Sequence, residues 1–433
     1  MKDVLERIFE EFFRRPFPEV VPRDVRYPML KDTATVITGM RRTGKTSLCI
    51  CKMHELFDQG IDRSRMLYLN FEDDRLAGFS LDDCQTILDV YFKRYPDNRK
   101  KRCFFFFDEI QNLPEWERFI RRLLDTANAQ VTLTGSSSKL LTSEIATAMR
   151  GRSVSTEVLP FSFKEYLRYF KIFDSIPGTL CDDDIAKLRN GMERYFQIGA
   201  FPGIYKNDDS DRDVILQEYV DLVVLRDVIE RHSVGNMVAL RHLVAALFNA
   251  PSQKFSVNKF ANLLGKTIGV KCSRNDIYHF LDYLVDAYIV FRMSIHSESE
   301  KVKQVNPDKI YLIDIGLIRA MARNPDKNRG HLLENLIYLH LRRQGWHLEY
   351  YHNRKGQEVD FLAYHRARNE EMLVQVCYDL SDAETMKREI PAITLAGEEL
   401  KLDRRYIITW DEERALEDGT KVIPAWKFMI DRV

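Results

Sequence analysis

The chain has 433 residues, more than one hydrophobic core organises, so two to four domains are expected. Its 65 basic residues are matched by 65 acidic ones, which excludes a global cationic field drawing it to nucleic acid or an anionic membrane; any polyanion contact must be local. The 45% hydrophobic and 30% charged content is that of an ordinary globular protein.

The opening MKDVLERIFEEFFRRPF is amphipathic, with neither the apolar stretch nor the small-residue cleavage site of a secretory signal. No apolar run reaches the roughly 18 residues of a membrane span. Seven cysteines are scattered, and the close pair Cys49 and Cys51 lacks the spacing of a zinc site. These features predict a cytoplasmic protein with reduced thiols and no membrane partner.

The sharpest motif is TVITGMRRTGKTSLC. A β-branched strand over residues 34–38 runs into Gly39-Met40-Arg41-Arg42-Thr43-Gly44-Lys45-Thr46, which fits G-x-x-x-x-G-K-[ST] residue for residue. Gly39 and Gly44 let successive N–H groups, including those of Arg42 and Thr43, turn toward a β-phosphate, and the helix from Ser47 onward points its positive end there. Lys45 is expected to bridge β- and γ-phosphates, and the Thr46 hydroxyl to hold Mg2+.

Strand candidates follow at 66–72 (MLYLNFE), 104–107, 130–138 (QVTLTGSSS) and 153–159 (SVSTEVL), giving the alternation of a doubly wound parallel α/β fold. Phe104, Phe105, Phe106 and Phe107 read as a strand buried on both faces, delivering Asp108 and Glu109 to the ligand edge of the sheet. Asp108 is expected to join the Mg2+ shell and Glu109 to polarise the attacking water. Of the hydroxyls after Leu133, Ser136 is the preferred γ-phosphate sensor; a cap for a helix starting near Ser138 is the competing role. Arg152 is placed to serve a neighbouring subunit's nucleotide as an arginine finger, or else to form a surface ion pair.

The segments GMRRTGKTS, YLNFEDDRL, FFFFDEIQNLPEWERFIRRL, LTGSSSKLL, GRSVSTEVLPFSFKEYL and FPGIY together resemble a family of prokaryotic AAA+ ATPases that join an ATPase core to a C-terminal domain of unknown function. The resemblance runs through nearly the whole chain. It implies ATP rather than GTP, Walker A at 39–46, Walker B at Asp108 and Glu109, and a homo-oligomer whose subunits complete one another's sites.

Beyond the core (1–165), helical spacing predicts an α-helical lid over 166–243, broken by the loop Gly199-Ala200-Phe201-Pro202-Gly203. In it Arg226 is either a phosphate contact or the partner of Glu230 one turn on. Residues 244–305 read as a winged helix-turn-helix: a helix at 256–264, a turn at 265–271, a second helix capped by Ser273 with Ile277, Leu281, Leu284 and Tyr288 inward, and a wing around YIVFRMSIHS. In a DNA-binding version Arg274, Asn275 and Tyr278 meet the major groove while Lys266 and Lys271 take phosphates; protein contact is the alternative use.

Residues 306–433 carry Glu334, Asp360, Gln375 and Cys377 in the order of the PD-(D/E)XK nuclease-like folds, which the family's C-terminal domain resembles. That chemistry needs two or more carboxylates for Mg2+ and a lysine near the water. Gln375 offers a neutral carbonyl and Cys377 no fixed positive charge, so an inactive, restriction-endonuclease-like domain is expected. It either grips DNA through Arg342, Arg343, Arg354 and Lys355 or serves packing. The expected whole is an α/β AAA+ motor or switch acting on DNA, including branched or recombining DNA. An ATP-controlled signalling or defence switch with protein partners is the rival, and an ATP-gated nuclease the third reading.

Overall fold

In the computed structural model, which describes residues 1–136 and 149–431, the glycine loop and the acidic pair close the same edge of one parallel sheet. The helix expected near Ser138 lies outside those residues. The chain divides into two units, Met1–Leu159 and Pro160–Val433.

The sheet of the first unit contains β1 (Ala34–Thr38), β2 (Met66–Asn70), β3 (Cys103–Asp108), β4 (Ala129–Gly135) and β5 (Ser153–Glu157), in the order β2-β3-β4-β1-β5 with every neighbouring pair parallel. The phenylalanines of β3 show why the sheet must be covered on both faces. Strand side chains alternate, so Phe105 and Phe107 face a core shared with Leu5 and Phe9, Tyr91, and Phe119 and Ile120, while Phe104 and Phe106 face Leu48, Cys49 and Met53. Helices α1 (Lys2–Arg14), α3 (Cys84–Arg94) and α4 (Trp116–Thr126) supply the first set, and α2 (Lys45–Asp58) the second. In α4, Trp116, Phe119, Ile120, Leu123 and Leu124 are buried at the three- and four-residue spacing of a single helix face. Each buried ring contributes about 1.5–3 kcal/mol. The five-stranded parallel sheet with helices on both faces is the α/β core expected from the sequence.

The second unit begins with the helices Phe163–Tyr169, Asp182–Ile198 and Asp209–Val223. The loop after Ile198 is fixed by close approach. Gly199 has φ 84°, and a Cβ there would lie 2.6 Å from the Cα of Gly316, while Asp314 accepts the Ala200 N–H at 2.7 Å. Arg226 bonds Glu230 at 2.9 Å on an exposed helix face, the surface pairing of the two roles weighed for it.

Next come the helices Met237–Asn249, Val257–Leu263 and Arg274–Asp286, interleaved with β6 (Gln253–Lys254), β7 (Val290–Met293) and β8 (Lys309–Leu312). The three strands form an antiparallel sheet of order β6-β8-β7. Ile277, Leu281, Leu284 and Tyr288 of this region are buried, as expected. One difference concerns the wing: β7 pairs not within YIVFRMSIHS but with β8, just past residue 305, because Ser294 and His296 are taken instead by the backbone of Tyr350. The remaining strands, β9 (His347–His352), β10 (Glu358–His365), β11 (Glu370–Val376), β12 (Arg405–Thr409), β13 (Arg414–Ala415) and β14 (Lys421–Pro424), form a mixed sheet of order β13-β14-β12-β11-β10-β9. The helices Arg329–Arg343 and Ala383–Leu400 accompany it.

Candidate functional site

The glycine loop is built by conformations that other residues resist. Gly39 has φ 153° and sits so close to the chain after β5 that a Cβ would fall 2.2 Å from the Val158 carbonyl oxygen. Gly44, at φ 97°, caps α2, and Arg42 is also left-handed at φ 68°. Thr43 is buried, its hydroxyl donating to the Met40 carbonyl at 2.9 Å, which holds the loop's curl. Lys45, Thr46 and Ser47 form the first turn of α2, whose unpaired N–H groups face the loop. Lys45 is only 5% exposed: its ammonium donates to the carbonyls of Gly39 and Met40, each at 3.2 Å, and lies 3.5 Å from Glu109.

Parallel pairing of β1 with β4 and of β4 with β3 brings the acidic pair to this loop. Asp108 is 2% exposed and accepts three hydroxyl hydrogen bonds: from Thr46 at 2.7 Å, from Tyr68 at 2.5 Å, and from Thr134. Glu109 turns out of the strand at φ 50° and is pinned there by its own N–H, which donates to the Thr134 hydroxyl at 3.0 Å. Gln111 donates to its other oxygen at 2.5 Å. Burial pushes the Glu109 carboxyl up, but the charge of Lys45, with Gln111 and Arg41, outweighs it and holds the carboxyl below its ordinary value, so it is ionised at neutral pH. Burial, then the charge of Asp108, drives the Tyr68 phenol far up, leaving it a permanent donor.

The donor set fits magnesium. Hydroxyl and carboxylate oxygens 2.7 Å apart on Thr46 and Asp108 are hard ligands, and the rest of the shell of such an ion comes from phosphates and water.

Ser136 is buried just past β4. The hydroxyl that reaches Asp108 and Glu109, however, is that of Thr134, two residues earlier. Sequence reasoning grouped Thr134 with Ser136 but did not single it out, and it passed over Tyr68; alternation along β4 and β2 was the available signal for both. Arg152 precedes β5, at the opposite end of β1 from the glycine loop, and pairs with Asp125. It serves no phosphate on its own chain.

In the second unit Lys271, Arg274 and Asn275 are all exposed, the latter two on the first turn of the Arg274–Asp286 helix, which Ser273 caps through the Asp276 N–H at 3.1 Å. Glu334, Asp360, Gln375 and Cys377 line one cleft. The Gln375 carbonyl accepts the Asp360 N–H at 3.1 Å and its amide donates to Glu389 at 2.7 Å. Asp360 accepts the Val376 N–H at 2.9 Å; burial, then the charge of Glu334, raises its carboxyl to about 7. Cys377 packs with Val359, Leu380 and Ile393, and burial pushes its thiol up to about 12.

Comparison with known proteins agrees with the core. Residues 31–167 match the family described as an AAA domain, and residues 189–328 and 329–428 match two domains of unknown function, DUF8612 and DUF4143. "Uncharacterized protein MJ1544" of Methanocaldococcus jannaschii is 37% identical over 425 residues, covering 95% of this chain and 91% of that one. An "Uncharacterized protein" of Haemophilus influenzae is 30% identical over 351 residues, covering 81% and 84%. Among solved structures, the Aeropyrum pernix ORC1 protein in complex with DNA aligns over 76% of this chain and 93% of its own at 13% identity and a TM-score of 0.28. AMPPCP-bound DnaA from Aquifex aeolicus aligns over 65% and 86% at 13% identity and a TM-score of 0.25. The match over the glycine-loop sheet and the identity sustained from end to end place this chain in the prokaryotic AAA+ ATPase family whose members continue into C-terminal domains of unknown function.

Proposed function

We propose that the chain hydrolyses ATP at the loop of residues 39–46 and uses the cycle as an oligomeric motor or switch acting on DNA. The observation that carries the proposal is the convergence of Lys45, Thr46, Asp108 and Glu109 at one sheet edge, with Lys45 and Glu109 3.5 Å apart. The loop N–H groups and the start of α2 bind the phosphates, and Lys45 leaves its carbonyl partners for the β- and γ-oxygens. Thr46 and Asp108 are the residues that would hold Mg2+, which when bound neutralises phosphate charge. Glu109 orients a water and takes its proton, for which its ionised state is required. Thr134 and Tyr68 keep the two acids in place, and Ser136 senses the γ-phosphate. Arg152, directed away from its own site, serves a neighbouring copy in a homo-oligomer.

The same proposal divides the chain into a core at 1–165, a lid at 166–243, a winged helix at 244–305 and an inactive nuclease-like domain at 306–433. DNA is assigned to the winged helix because Lys271, Arg274 and Asn275 stand exposed at the start of its second helix. Two measurements test this. Lys45→Ala is expected to abolish ATP binding, and retained tight binding refutes the cradle. Affinity for duplex, single-stranded and four-way DNA is expected to fall steeply with salt, the slope shrinking by about 0.9 for each phosphate contact on duplex lost in Lys271→Ala or Arg274→Ala. No binding even at low salt favours the protein-partnered switch.

A further inference from the structure

The carboxylates that a nuclease-like fold devotes to a metal are occupied in this chain by a lysine that the motif does not include. Lys309, on β8 of the winged-helix sheet, is 4% exposed. Its ammonium lies 2.7 Å from Glu334 of the Arg329–Arg343 helix, and 2.9 Å from each of Glu358 and Asp360 on β10. The ammonium donates to Glu334 and Asp360 and forms an ion pair with Glu358. Each acid is completed by a further partner: Tyr311 donates to Glu334 at 2.7 Å, the Val376 N–H donates to Asp360, and Lys254 pairs with Glu358. Beyond them Gln375 is held by Glu389, which Arg388 bonds at 2.7 Å. The cluster forms the floor of a cleft of about 1010 Å³ that is otherwise wide enough for solvent and ions to enter.

We propose that Lys309 is a built-in cation: its ammonium stands where a divalent metal would sit among Glu334, Glu358 and Asp360, closes that position to metal, and ties the β6-β8-β7 sheet to β10. The chemistry follows from charge and geometry. A dication entering this position would have to displace a buried ammonium from its three carboxylates and leave it beside a like charge, which repulsion opposes. The domain therefore keeps its acidic cluster ordered without metal, and the cleft lacks the Lewis acid that phosphodiester hydrolysis requires of this fold. Residues Gln375 and Cys377 are consistent with this state rather than its cause.

The inference rests on the nuclease-like reading of residues 306–433 for where the metal would sit. The full-length chain, without nucleotide, is titrated with Mn2+ and the free ion read by electron paramagnetic resonance, comparing the unaltered chain, Asp360→Asn, Lys309→Ala and Lys309→Ala with Asp360→Asn. The unaltered chain and Asp360→Asn are expected to bind equally. Lys309→Ala is expected to gain one ion per chain, lost again on adding Asp360→Asn. An ion in the unaltered chain that Asp360→Asn removes overturns the proposal while leaving the nuclease-like reading standing and restoring the ATP-gated nuclease. A folded Lys309→Ala that gains no ion overturns both. If the alanine chain does not fold, Lys309→Met, which keeps the stem packed, carries the same comparison.

Discussion

Replacing Glu109 by Gln keeps the shape of the side chain and removes its charge, so it separates holding ATP from cleaving it. In the resting chain Glu109 and Lys45 are 3.5 Å apart and both buried. At an effective dielectric constant of about 20 their attraction is about 5 kcal/mol before desolvation is subtracted. Lys45 keeps two carbonyl acceptors in the variant, so the loss of resting stability stays below the roughly 3–5 kcal/mol of a buried charge left without partners. With ATP bound the sign changes. Lys45 no longer has to leave a carboxylate to reach the phosphates, and a negative charge near the triphosphate has gone, so affinity is expected to hold or rise. Hydrolysis loses its proton acceptor, a fall of about 10²–10⁴-fold in kcat. Melting temperature with and without ATP, titration with a fluorescent ATP analogue and single-turnover hydrolysis read the three effects separately. Hydrolysis within about threefold of the unaltered chain, far less than a general base supplies, refutes the role of Glu109. An affinity loss as large as the rate loss makes Glu109 a binding residue.

Tyr68→Phe removes one charge-assisted hydrogen bond from Asp108 while retaining the ring beside Phe12, and is expected to cost about 1.5–3 kcal/mol, read as a tenfold or greater fall in kcat; loss of stability with full turnover would make Tyr68 a packing residue. Arg152→Ala and Lys45→Ala chains are each expected to be inactive alone and to regain hydrolysis when mixed, since the lysine variant still supplies its arginine to a neighbour; full activity of Arg152→Ala alone removes the residue from the mechanism. Asp360 titrates near 7 in the folded chain against 3.8 ordinarily, so between those values the folded chain holds a proton that the unfolded chain releases. Its contribution is present below 3.8 and lost as pH rises through 7, and Asp360→Asn is expected to gain stability relative to the unaltered chain between pH 5 and pH 8 in denaturant melts; a constant difference across that range refutes the assignment.

The core was legible because its signals are local. Residues 39–46 carry their phosphate geometry in consecutive positions, and Phe104 to Phe107 can only be a strand covered on both sides, so the acids that follow had to emerge at the sheet's ligand edge. What escaped depends on which distant strands become neighbours. Thr134 reaches Asp108 only because β4 lies between β1 and β3, and Tyr68 only because β2 pairs with β3. Lys309 was less visible still. It sits in DKIYLID, a short apolar run that signals a strand, but a lysine at a strand's start reads as solvated until the fold sets Glu334, Glu358 and Asp360 around it.

The two acidic clusters show why similar satisfaction of buried carboxylates leads to different chemistry. Asp108 is bonded by hydroxyls of Thr46, Tyr68 and Thr134. A threonine hydroxyl turns about one bond at little cost, so Thr46 can redirect its lone pairs without a charge being moved. The carboxylate is thus stabilised in the resting chain yet available to a cation that arrives with a nucleotide. Asp360 and Glu334 are bonded instead by an ammonium anchored in another sheet, and replacing it means stranding a full charge in the interior. Neutral, rotatable donors keep the first cluster exchangeable; a charged, tethered donor makes the second permanent. On this argument the proposed ATP site and the proposed nuclease-like cleft differ less in how many acids they hold than in whether the groups opposite those acids can let go.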